Sequence, residues 1–271
     1  MRAREVVAVL SMVRSNLYRL THGGLLWGYL IAYAGMIVFL AVMCWLISSS
    51  GPFADVMDSP VDTSYTSSFA LYGETFMSGG FAVILATALC GIFFVGDFST
   101  GSIKNLLQIR GGRVSYVLAA SITMLLIAAV FIVVGIVVSE VAFRVAGFGP
   151  MMVWPPLGEL VVWCVQCALL IVAYGQIILF VTLVTRSSAA IIAAVVVVST
   201  GLIEELLRFM CANVFKNLPA LRDCLDGYLS AMVTAVGSGP LPGAHIYLVT
   251  GATIAVMLVA CIAVMCRRDV K

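Results

Sequence analysis

Charged side chains are scarce in this sequence: they make up 10% of its 271 residues, and only two residues are histidine. Soluble domains carry about 25% charged residues. Hydrophobic residues reach 62%, which is more than a soluble fold hides from water. We therefore expect an integral membrane protein. The net charge is +2 and the basic residues form no single patch, so we expect no nucleic-acid partner.

Motifs for catalysis and metal binding are also lacking. There is no HExxH, no GxSxG and no pair of aspartates inside an apolar run. His22 and His245 lie near the ends of apolar runs, as interfacial residues do. Cys164 and Cys167 have the spacing of a metal pair, but no second ligand pair accompanies them, and a thiol in an apolar run acts as a small hydrophobe. We expect no catalytic site, metal or cofactor in this chain, which disfavours an intramembrane enzyme.

Long apolar runs are what the chain has instead. A run of about 17–25 residues crosses a bilayer as a helix, and the alternation of a membrane barrel is absent. The sequence predicts an all-α membrane fold, one domain over residues 1–271, with six transmembrane helices. The predicted spans are Leu25–Ile47, Phe76–Val95, Tyr116–Ser139, Leu160–Thr185, Ala189–Ile203 and Ala244–Cys266. The fifth span is the shortest.

The distribution of Lys and Arg predicts a multi-pass protein of the cell membrane with both termini in the cytoplasm. In this orientation eleven of the 15 basic residues lie on the inner side, as the positive-inside rule requires. The first apolar run is longer than the 7–15 residues of a cleaved signal peptide, so we expect it to be retained.

Two segments outside the spans have helical patterns. Residues 1–22 are basic and amphipathic, and we expect a helix along the inner membrane surface. Residues 204–243 contain two amphipathic stretches that are too short to span, so we expect extracytoplasmic helices that dip into the membrane; plain surface helices are the alternative. Cys211 and Cys224 lie in this segment and are candidates for a disulfide if that side is oxidising.

Residues 96–113, GDFSTGSIKNLLQIRGGR, look at first like a phosphate-binding loop. Such a loop needs Lys directly after its second Gly and a strand before its first. Here Ser102 follows Gly101 and a predicted membrane helix precedes the loop, so we expect no nucleotide site.

The same stretch predicts a short cytoplasmic helix. Ser99, Thr100 or Ser102 can cap its start. Ile103, Leu106 and Leu107 then form an apolar stripe at helical spacing, and glycines follow at 111 and 112. A short helix with one apolar face suits docking into a groove on a partner protein, although it can also rest on the bilayer.

FVGDFSTGSIKNLLQIRGGRVSYVLAASI resembles the cytoplasmic loop of ABC-2 type transporter permeases, with the closest likeness to the branch of bacitracin- and lantibiotic-resistance permeases. The family pattern is an acidic residue, then Gly, Ser or Thr, a hydrophobic residue, Lys or Arg, Asn and Leu, then an Arg before the third span. It is matched by Asp97, Gly101, Ser102, Ile103, Lys104, Asn105, Leu106, Leu107 and Arg113. Gly111-Gly112 and Ala119-Ala120-Ser121 depart from the family's usual Pro and Lys.

The resemblance implies a permease subunit without ATP chemistry of its own. ATP and Mg would bind to two copies of a separate ABC ATPase, which push on the short helix between spans two and three. A second permease chain, identical or related, would complete the export path. The implied coupling interface is Asp97, Gly101, Ser102, Ile103, Lys104, Asn105, Leu106, Leu107, Arg110 and Arg113.

Few ionisable residues fall inside the spans, which favours an amphipathic or hydrophobic substrate such as a peptide antibiotic, a drug or a lipid-like molecule. The sequence indicates no substrate-binding residues. Two alternatives stay open: a secondary transporter or channel, and a membrane subunit that transports nothing.

Overall fold

The structure, a computed structural model, describes residues 3–49, 69, 72–78, 80–101, 112–148, 154–202, 206, 209–210 and 228–267. In this part of the chain the regular structure is helical and there is no strand. The α-helices are α1 (Ala3–His22), α2 (Leu25–Ser49), α3 (Phe81–Ser99), α4 (Gly112–Val145), α5 (Leu157–Thr185), α6 (Ser188–Ser199), α7 (Leu229–Val236) and α8 (His245–Arg267). A π-helix, Gly73–Ser78, precedes α3.

Five of these helices, α2, α3, α4, α5 and α8, are long and apolar enough to cross a membrane. These are the helices of a multi-pass membrane protein, as the hydropathy of the sequence predicted. The sixth predicted span corresponds to α6, which is apolar but has only 12 residues. The prediction of a sixth crossing therefore stays a prediction.

Helices α3 and α5 form the centre of the molecule. Their most apolar windows are 61% and 67% buried inside the chain, whereas those of α2 and α8 are 22% and 17% buried. A helix that is hydrophobic all round is suited to such a central position. Gly91 of α3 permits close packing on α6, because an added Cβ would lie 2.4 Å from a methyl group of Ile191.

Helix α1 is amphipathic, as predicted, and its apolar stripe packs on α4. Its buried residues recur at helical spacing, and they are Val9, Met12, Val13, Asn16 and Leu20. Asn16 Nδ2 donates a hydrogen bond to Thr123 Oγ1 of α4 at 3.3 Å. The predicted position of this helix on the membrane surface stays a prediction.

Two polar side chains hold the first turns of α5 in place. Trp163 Nε1 donates to the backbone oxygen of Val236, the last residue of α7. Gln166 lies fully buried and clamps the backbone of Leu241: its Oε1 accepts from the Leu241 N–H and its Nε2 donates to the Leu241 carbonyl, both at 2.9 Å. These contacts fix α7 and the chain after it against α5.

The end of α4 carries an ion pair between two residues of the same helix. Glu140 and Arg144 are one turn apart, and Arg144 Nη2 lies 2.5 Å from Glu140 Oε1. Tyr72 Oη also donates to Glu140. The pair therefore joins α4 to the chain that leads into the π-helix.

Candidate functional site

The predicted coupling loop, residues 97–113, connects α3 to α4. The structure describes its two ends, 97–101 and 112–113. Seven of the predicted interface residues lie outside the described residues: Ser102, Ile103, Lys104, Asn105, Leu106, Leu107 and Arg110. Cys211 and Cys224, the candidate disulfide, also lie outside them. The site that can be built from contacts is therefore the base of the loop.

Asp97 occupies the last turn of α3 and is completely buried. Its Oδ1 lies 2.5 Å from Nη2 of Arg19, which comes from the last turn of α1. A buried carboxylate is costly without a partner of opposite charge, so this ion pair is what allows the charge to lie there. Asp97 thus lies beneath the surface of this chain, beside the start of the loop.

Tyr116 completes a cluster that we call the charged anchor: Arg19, Asp97 and Tyr116. The hydroxyl of Tyr116, in the first turns of α4, donates to Asp97 Oδ2 at 3.0 Å. The Arg19 guanidinium also lies 4.9 Å from the centre of the Phe93 ring, within the range of a cation–π contact. The charged anchor therefore ties α1, α3 and α4 together on either side of the loop.

Arg113, at the other end of the loop, reaches α8. Its Nη1 donates to the backbone oxygen of Cys266 at 2.9 Å. Cys266 is in the last turn of α8, where carbonyl groups without helical partners attract cations. Both ends of the loop are thus fixed to helices that are distant in sequence.

Arg186 adds a contact from α5. It follows the last residue of that helix with a left-handed backbone (φ 52°), which turns the chain into α6. Its guanidinium lies 5.3 Å from the centre of the Phe98 ring, at the end of α3. The central helix α5 therefore also contacts the base of the loop.

The chain leaves α3 through residues 99–101. The hydroxyls of Ser99 and Thr100 both donate back to the Gly96 carbonyl, so they close the end of α3. Gly101 has φ +69°, a left-handed conformation that glycine adopts without a steric penalty. The match of Gly101 to the family pattern thus has a conformational reason.

Arg19 and Tyr116 are the residues of this site that the sequence analysis did not single out. In the sequence Arg19 is one of the basic residues of the inner side, and Tyr116 is the first residue of the third predicted span. The position of Arg19 in the sequence does indicate a role in the site: Arg19 stands one turn after Asn16, beside the buried stripe of α1. A charge beside a buried stripe needs a partner of opposite sign, and Asp97 is the only acidic residue between the second and third predicted spans.

No protein-family model matches this chain, and no curated protein matches it significantly. The ABC-2 resemblance therefore rests on the motif and the predicted layout alone.

Proposed function

We propose that this chain is the permease subunit of an ATP-driven exporter of the ABC-2 type. A separate ATPase would dock on the coupling loop, and two permease chains, identical or related, would form the path through the cell membrane. The cargo would be an amphipathic or hydrophobic molecule such as a peptide antibiotic, a drug or a lipid-like compound. ATP and Mg would bind only to the partner ATPase.

One observation carries the proposal: contacts tie the base of the coupling loop to four other parts of the molecule. Arg19 ties it to α1, Tyr116 to α4, Arg113 to the end of α8, and Arg186 to α5. ATP binding elsewhere can bias a membrane protein only through contacts that differ between its two states. A displacement that reaches the two ends of the loop would therefore pass to the helices that hold them.

The first test is co-purification from the native membrane, with this chain tagged and full-length. We expect a soluble ATPase with its own phosphate-binding loop to come down in equal ratio. If the chain comes alone and stays alone under crosslinking, the proposal fails.

The second test uses the reconstituted complex and substrate-stimulated ATP hydrolysis. Leu106→Asp or Lys104→Glu is expected to abolish the stimulation, because either change alters the predicted docking helix. Leu157→Asp is the matched control, since Leu157 is 76% exposed at the opposite end of α5 from Arg186. Normal stimulation in Leu106→Asp would contradict the docking role.

A secondary transporter is the second candidate, and one observation favours it. Such transporters bind substrate where helices break inside the membrane. Here the chain turns at Gly80 and Gly201, which are both left-handed, and a cavity lies beside them. Transport by proteoliposomes separates the two candidates: an ion gradient drives a secondary transporter without ATPase or ATP, whereas the exporter needs both.

A further inference from the structure

A cavity of about 150 Å³ lies between α3, α5, α6 and α7, away from the charged anchor. We call it the hydroxyl cavity, because five of its lining residues bear hydroxyl groups: Tyr174, Ser199, Thr200, Ser230 and Thr234. Gly80, which precedes α3, forms part of the wall. Its volume is close to that of a cavity that holds one benzene ring, at about 150 Å³. No charged residue is among the described residues that line it.

The depth of the cavity follows from the helices around it. Thr185 and Ser188 flank the tight turn between α5 and α6. Tyr174 precedes Thr185, and Thr200 follows Ser188, by a distance of roughly 17 Å along the helix axis in each case, at 1.5 Å per residue. The hydrocarbon core of a bilayer is about 30 Å thick, so a turn at the inner surface puts the cavity in the outer half of the membrane.

The backbone beside the cavity is irregular. Gly80 and Gly201 have φ +68° and +72°, so the chain leaves the α-helical conformation at both positions. Backbone of this kind occurs at membrane depth only where protein buries it or where it lines a cavity. An added Cβ at Gly201 would lie 3.1 Å from Ser230 Cβ, which shows how closely α7 approaches.

The hydroxyl oxygens of two lining threonines can only accept hydrogen bonds from a ligand. Thr200 Oγ1 donates its proton to the Val196 carbonyl, and Thr234 Oγ1 donates to the Ser230 carbonyl at 3.2 Å. A hydroxyl has one proton and two lone pairs. Both oxygens therefore have only lone pairs left for a ligand.

Ser199 has the same character. Thr87 Oγ1 donates to the Val83 carbonyl at 2.6 Å, so in its 3.3 Å contact with Ser199 Oγ the serine is the donor. The proton of Ser199 is thereby engaged as well. A ligand that satisfies these oxygens must bring O–H or N–H donors.

We propose that the hydroxyl cavity binds an uncharged group with several O–H donors, of the size of one sugar or polyol ring, as in the headgroup of a neutral amphiphile. An anion would be disfavoured, because the hydroxyls of Ser199, Thr200 and Thr234 offer it acceptors and no donor. A cation finds no acidic residue among the described lining residues to offset its desolvation. The site does not depend on the ATPase, so this inference and the proposed function can fail separately.

The test uses the full-length chain in lipid nanodiscs and direct binding measurements with three probes below their micelle concentrations. All three share an eight-carbon tail: octyl β-D-glucoside, octanoate and octyltrimethylammonium. We expect saturable binding of the glucoside alone. Equal binding of all three, or no saturable binding of the glucoside, would overturn the proposal, because the cavity would then hold only water or unspecific tails. Binding that requires Na⁺ in place of K⁺ would also overturn it, since it would indicate an ion site.

The variants locate the binding. Thr200 and Thr234 are exposed, so Thr200→Val/Thr234→Val removes two acceptors with little risk to folding. The loss of two hydrogen bonds is expected to weaken glucoside binding about tenfold. Thr185→Val is the matched control: its exposed hydroxyl also donates to the carbonyl four residues back, but it does not line the cavity. Equal affinity of the double variant and the control would place the bound glucoside elsewhere and overturn the proposal.

Discussion

The charged anchor and the hydroxyl cavity are polar regions about 25 Å apart along α3, at a rise of 1.5 Å per residue, and they are built on opposite principles. In the anchor a fully buried carboxylate meets a guanidinium and a phenol, which hold it from both oxygens. In the cavity the groups are neutral, and the hydroxyl protons of Ser199, Thr200 and Thr234 are donated to neighbouring protein oxygens. The difference indicates a permanent tie in one region and room for an exchangeable ligand in the other.

Breaking the anchor is expected to have the largest effect. Arg19→Met leaves the buried Asp97 without its counter-charge and is expected to cost about 3–5 kcal/mol of unfolding free energy. Asp97→Asn is expected to cost less, since Arg19 is 37% exposed and can turn to water, and the double variant should recover part of the loss. Reversible unfolding in mixed micelles measures all three.

Arg14→Met is the control for this set. Arg14 is exposed on the same helix, so its replacement should change the unfolding free energy by less than about 0.5 kcal/mol. If Arg19→Met behaves like Arg14→Met, the anchor is not a structural tie.

Two glutamines on α5 test whether a buried side chain with all its hydrogen bonds formed contributes more to stability than one with a bond missing. Gln166→Leu removes both partners of the Leu241 backbone and is expected to cost about 2–3 kcal/mol. Gln176→Leu is the matched change: Gln176 donates to Ser121 Oγ, but among the described residues its buried Oε1 has no partner. We expect it to be nearly neutral in the same unfolding assay. Equal losses of unfolding free energy would show that the number of hydrogen bonds formed does not distinguish the two glutamines.

Gly91 tests how tightly α3 packs against α6 between the two regions. Gly91→Ala forces a Cβ against Ile191 and Ile178 and is expected to cost about 1–3 kcal/mol. Gly96→Ala, on the same helix, meets no atom within 4 Å and should stabilise by up to about 1 kcal/mol. Thermal unfolding of the two variants in nanodiscs compares them directly. A Gly91→Ala protein as stable as Gly96→Ala would mean that α3 and α6 separate easily.

The smallest effect on stability is expected at the cavity. Thr200→Val/Thr234→Val removes two hydroxyls from exposed positions, and we expect a change below about 1 kcal/mol, far less than at the anchor. The same unfolding assay measures it. A loss as large as that of Arg19→Met would show that the cavity hydroxyls are structural.

Hydropathy predicted the long helices because each crossing is a local property of about twenty residues. The ends were harder: the sequence begins the second span at Phe76, whereas α3 begins at Phe81, after the π-helix and the left-handed Gly80. A run of apolar residues does not show where its backbone changes conformation.

The site could be predicted only in part. Asp97, Gly101 and Arg113 were singled out by a local motif, and the structure gives each a contact or conformation. The partners Arg19 and Cys266 lie 78 and 153 positions away, so no local pattern connects them. The hydroxyl cavity was not predicted, because serine and threonine near helix ends have many ordinary roles as caps.

The central position of α5 has a consequence for chemistry carried out from the lipid phase. Its neighbours cover 67% of its most apolar window, whereas α2 and α8 leave most of theirs open. A carbene generated by light from a precursor dissolved among the acyl chains should therefore label α2 and α8 heavily. It should leave Tyr174 and its surroundings on α5 unlabelled. Any label that does arrive at Tyr174 would have to travel through the protein by way of the cavity, and its path would trace the route open to a ligand.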